Sequence, residues 1–93
     1  ERKLEAAACR DRQEELAVLR LLMCKAENPT SRRRYQKKVL HILKKFTHKK
    51  YRREWEREIA RLQELLAEDG AQLEVLRAGL KELIDLGRRR FEG

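Results

Sequence analysis

Apolar residues recur at intervals of three and four from position 16 to position 83, and a single proline, Pro29, interrupts them. That spacing gathers side chains on one face of a helix, whereas a strand would alternate every second residue. Four glycines and 5% aromatic residues argue the same way, because sheets and tight turns draw heavily on aromatic residues and glycine. The expected fold class is therefore all-α. With 93 residues the chain makes at most one small domain, 1–93. A chain of this size hides only roughly 60–65% of its unfolded surface, so the core is modest.

A first helix is predicted over 4–27, with Leu16, Leu19, Met23 and Ala26 on one face and Val18, Leu21 and Leu22 widening the stripe. Asn28-Pro29 ends it, since proline bars its predecessor from helical angles, and Thr30 or Ser31 offers a cap to the next helix. That second helix is predicted over 32–68. On a helical wheel Tyr35, Val39, Ile42 and Phe46 fall within roughly 60° of one another, while Trp55, Ile59, Leu62 and Leu66 lie roughly 160–220° around from Phe46. The buried face changes sides near 47–50. Either the helix kinks there or it stays straight and packs one element on each side, and the lack of glycine or proline at the switch favours the straight form.

From Trp55 onward a heptad-like phase runs through Ile59, Leu62, Leu66, Leu73, Leu76, Leu80 and Leu83. Asp69-Gly70 is a turn dipeptide, and Asp69 with Gln72 resembles a capping box opening a third helix over 71–87. The preserved phase instead suits one long helix pairing with a second chain as a coiled-coil homodimer. The expected architecture is a small helical bundle, or an extended helical hairpin, of about three helices with a long central basic helix.

Charge is concentrated in that helix. Residues 32–57 carry twelve Lys and Arg against Glu54 and Glu56, a net +10, so the rest of this +8 chain is slightly acidic. Opposite the Tyr35 to Phe46 stripe lie Arg34, Lys37, Lys38, His41, Lys44, Lys45, His48 and Arg52, the candidate partner-binding face. A basic amphipathic helix suits nucleic acid, anionic membrane surfaces or acidic partners. A solvated outer face is the bland explanation. Arg32, Arg33 and Arg34 weigh against it, because in a first helical turn each cation opposes the macrodipole. Arg88, Arg89 and Arg90, near a helix C-terminus, need no such explanation.

Nothing in the sequence assembles a reaction centre. Phosphate loops, nucleotide fingerprints, nucleophile elbows and zinc motifs are all missing, so no enzyme activity, metal or cofactor is expected. His41 and His48 share a face two turns apart, about 10 Å, too far to grip one metal within a helix. Cys9 and Cys24 read as small buried hydrophobes, about 22 Å apart on one helix and beyond disulfide reach. Unpaired thiols suit an intracellular, cytoplasmic setting. No apolar run reaches membrane-spanning length, because Arg20 interrupts the best one, 16–24.

Leu19-Arg20, then Glu27, Pro29-x-Ser31 and a basic helix with a lone Trp55 resemble the C-terminal half of paramyxovirus C accessory proteins of the Sendai type, over about 16–59. The spacing from Arg20 to Pro29 departs by one residue, and residues beyond 64 have no counterpart. The resemblance implies a small non-enzymatic viral protein that blunts interferon signalling by binding a STAT-family factor and restrains viral RNA synthesis. No binding residue transfers individually. An acidic or groove-shaped protein is thus the expected partner, with nucleic acid as the alternative. A membrane surface fits poorly, since the apolar face opposite the charges is short and needed for packing.

Overall fold

The computed structural model describes residues 2–46 and 49–92 and contains, among them, four α-helices and no strand: α1 (Arg2–Lys25), α2 (Pro29–Lys45), α3 (Arg52–Asp69) and α4 (Glu74–Glu92). Short 3-10 turns, Lys49–Tyr51 and Gly70–Gln72, lead into α3 and α4. The helices pack into a bundle measuring 40 × 26 × 18 Å. Each contributes one apolar stripe to a common core: Leu16, Leu19 and Met23; Val39, Ile42, Leu43 and Phe46; Trp55, Ile59 and Leu62; and Leu73, Leu76, Leu80 and Leu83.

The long central helix expected over 32–68 is two helices, which raises the count from three to four. Burying stripes on opposite sides of a straight helix needs a layer on each side. Breaking the chain after Lys45 lets both stripes enter one core. The break forms without glycine or proline. Phe46 caps α2, its N–H shared between the Ile42 and Leu43 carbonyls, and stacks on Tyr51 at 5.7 Å. The Leu43 carbonyl also accepts the Trp55 indole N–H at 3.2 Å. A carbonyl at a helix end, left with only a share of the Phe46 N–H, thereby gains a second donor inside the core.

Asn28, not Thr30 or Ser31, caps α2: its side chain accepts from the Thr30 N–H at 2.8 Å, with Pro29 at the first helical position. Proline suits that position because its missing N–H would be unpaired there anyway. Arg32, Arg33 and Arg34 consequently fall in the second turn, where the macrodipole penalty has largely decayed. Arg32 is structural, donating to the Ala26 carbonyl just beyond α1 at 2.7 Å.

Two buried polar side chains fix how the helices meet. Gln36 on α2 accepts from the Leu76 N–H at 2.9 Å and donates to the Gln72 carbonyl at 3.3 Å. Leu73 precedes α4 and has no side-chain oxygen, so a residue from α2 performs the N-capping that the Asp69/Gln72 pair was expected to perform. Glu58 on α3, 1% exposed, pairs with Arg20 of α1 and with Arg61 of its own helix at 3.0 Å. Two guanidinium groups compensate a carboxylate that would be costly to bury alone.

Gln36 meets Leu76, and Leu40 meets Gly79, so residue numbers rise together and α2 runs parallel to α4. Trp55 meets Gly87 and Phe91, making α3 and α4 an antiparallel hairpin. The heptad-like residues therefore face inward within one chain, Leu66 only in part. Val18, Leu21 and Leu22, expected to widen the α1 stripe, are exposed, as is the free thiol of Cys24.

Trp55 leaves no room beside it: a Cβ at Gly87 would lie 2.5 Å from its Cη2 atom. Gly87→Ala should lower unfolding stability by about 1–3 kcal/mol, overpacking outweighing alanine's helix preference. Urea denaturation checks this, and a stabilised variant would contradict the packing described.

Candidate functional site

Between α1 and α2 lies an open groove of about 830 Å³ lined by Arg12, Glu15, Thr30, Arg33, Arg34, Lys37, Lys38, His41, Ile42 and Lys45. Its charge follows from how the two helices meet. The apolar stripe of α2 points at the core, and among the described residues Ile42 is the one apolar side chain lining the groove. The opposite edge of α2 then presents basic residues every three or four positions. Arg34 and Lys45, eleven residues apart, span about 16 Å of helix.

Five of the eight expected residues meet here: Arg34, Lys37, Lys38, His41 and Lys45, all exposed. His41 also borders a second cavity, of about 440 Å³ between α2 and α4, where Lys44 faces Glu82 and Asp85. Arg52 belongs to α3, where it pairs with Glu56 at 3.0 Å and lies over the Phe91 ring at 5.8 Å. His48 lies outside the described residues. The continuous face expected from 34 to 52 is thus divided by the helix break.

Arg12 and Arg33, neither of them among the eight residues of the expected partner-binding face, also line the groove. Arg12 had a legible signal: four residues before Leu16, it continues the phase of Leu16, Leu19 and Met23 with a cation. The α1 stripe turns basic where the core ends.

Six Lys and Arg side chains meet one acid, Glu15, in this groove. None of the six has an ion-pair partner among the described residues. Among the described residues, no aromatic side chain lines the groove. Trp55 is 4% exposed and edge-on to Phe91 at 5.3 Å, so it is a core residue. No three His, Cys, Asp or Glu side chains cluster as a metal site among the described residues. No helix among the described residues is long and apolar enough to cross a membrane. Comparison with protein-family models, curated proteins and solved structures finds no significant match.

Crowding like charges along one helix edge weakens the fold, each i,i+3 or i,i+4 pair costing about 0.2–0.5 kcal/mol at low salt. Lys38 follows Arg34 by four residues. Lys38→Gln should raise the melting temperature in low-salt buffer and lose that gain at high salt. A gain unaffected by salt would show that like-charge repulsion is not its source.

Proposed function

We propose that this chain is a non-enzymatic interaction module that takes an acidic segment of a partner protein into the α1–α2 groove. One observation carries the reading: six cations without ion-pair partners among the described residues are gathered on two helices around a single acid. Such an arrangement costs stability in isolation and is relieved by an acidic ligand. The bland alternative, a solvated surface, does not account for Arg12 extending the cluster onto a second helix.

Protein is favoured over single-stranded nucleic acid because, among the described residues, the lining includes no aromatic platform on which a single strand could stack. The resemblance to paramyxovirus C accessory proteins gives the proposal its most concrete form. In that form the partner is a STAT-family factor, the setting is the host cytoplasm, and the outcome is blunted interferon signalling with restrained viral RNA synthesis.

The test is calorimetric titration of a purified STAT N-terminal domain, and separately of duplex RNA, into the wild-type chain and a Lys37→Glu/Lys38→Glu/Lys45→Glu variant. The expected result is STAT binding weakened at least tenfold in the variant, with RNA weaker than protein in wild type. Equal STAT affinity in both forms would overturn the groove as the docking site. RNA bound more tightly than STAT, with a steep salt dependence, would replace the protein reading with the nucleic-acid one.

A further inference from the structure

The face of α1 directed away from the core carries Asp11, Glu14, Val18, Leu21 and Lys25, all exposed. Their spacing of three, four, three and four is that of a heptad seam. Val18 is 54% and Leu21 60% exposed, with Leu22 beside them at 38%. Single exposed hydrophobics are ordinary on protein surfaces. Here they occupy two successive seam positions, with an acid one turn before and a base one turn after.

That order of charges selects an occupant. We infer that this face pairs with the same face of a second copy of the chain, the two α1 helices antiparallel about a two-fold axis midway between Val18 and Leu21. In this register Val18 of each copy lies opposite Leu21 of the other, and Glu14 of each lies opposite Lys25 of the other. Both ends of the seam are attractive, as an isologous interface requires. A parallel pairing would set Glu14 against Glu14 and Lys25 against Lys25.

The seam differs from the coiled coil suggested by the Trp55 to Leu83 heptads, whose residues are buried within one chain, Leu66 only in part. It also excludes Arg12 and Glu15, the α1 residues that line the basic groove. The pairing therefore stands or falls independently of what the groove binds. With apolar contact limited to about two turns, it is a weak, concentration-dependent association.

Sedimentation equilibrium of the chain from micromolar to millimolar concentration tests it. The expected result is a monomer–dimer equilibrium. Glu14→Lys and Lys25→Glu should each shift it at least several-fold toward monomer, while the double variant Glu14→Lys/Lys25→Glu restores it. Leu21→Glu should leave only monomer with an unchanged far-ultraviolet dichroism spectrum. A monomer at every concentration, a dimer indifferent to the single reversals, or a double variant weaker than either single one would overturn the inference.

Discussion

Two apolar stripes about half a helical turn apart, on residues 35–46 and 55–66, cannot reach one core from one straight helix. The bundle depends on resolving that conflict. Ending α2 at Lys45 and restarting the helix at Arg52 brings both stripes inward, and the other contacts follow. Interrupting the helix leaves the Leu43 carbonyl short of helical partners, and the Trp55 indole reaches it. Holding the indole there fills the space above Gly87, which is why α4 has no side chain at that point. Phe91, one turn further on, closes against the indole edge.

Gln36 and Glu58 add orientation to this apolar packing. Hydrophobic burial is non-directional and would tolerate α4 sliding along α2. Gln36 forbids it, because a slip by one residue leaves the buried Leu76 N–H without its side-chain partner. Glu58 ties α3 to α1 through Arg20 in the same way. In the sequence Arg20 interrupts an apolar run and forms part of the Leu19-Arg20 pair, and neither shows what it binds. Its role needs a partner 38 residues away, which no local pattern reveals.

The inward faces of all four helices were legible in the sequence, because burial imposes a period that survives without coordinates. The helix break was not. The usual markers, glycine and proline, are missing from 46–51, and the contacts that stabilise the break come from aromatic residues on either side of it. α2 starts three residues before its expected start at 32, because Pro29, which marks the end of α1 in the sequence, is also the first residue of α2. That shift moved three arginines out of the first turn and removed the dipole argument for their function. Exposure of Val18, Leu21 and Leu22 was also invisible, since a wheel cannot tell how much of a wide apolar face its neighbours will cover.

The basic character of α2 gains meaning from the same break. A continuous helix over 32–68 would spread its cations along a rod. Ending α2 at Lys45 leaves five of its seven Lys and Arg residues beside α1, where Arg12 joins them in a groove, and Arg52 falls on the opposite hairpin.

The helix break is tested most directly by an electron spin–spin distance between labels at Thr30 and Glu68, both exposed, with Cys9 and Cys24 replaced by alanine and labelled chains diluted in unlabelled ones. A continuous helix places these positions about 57 Å apart. The bundle, with a longest dimension of 40 Å, brings both to the same end, and the account predicts a single distance well below that dimension. A distribution centred near the longer value would contradict it.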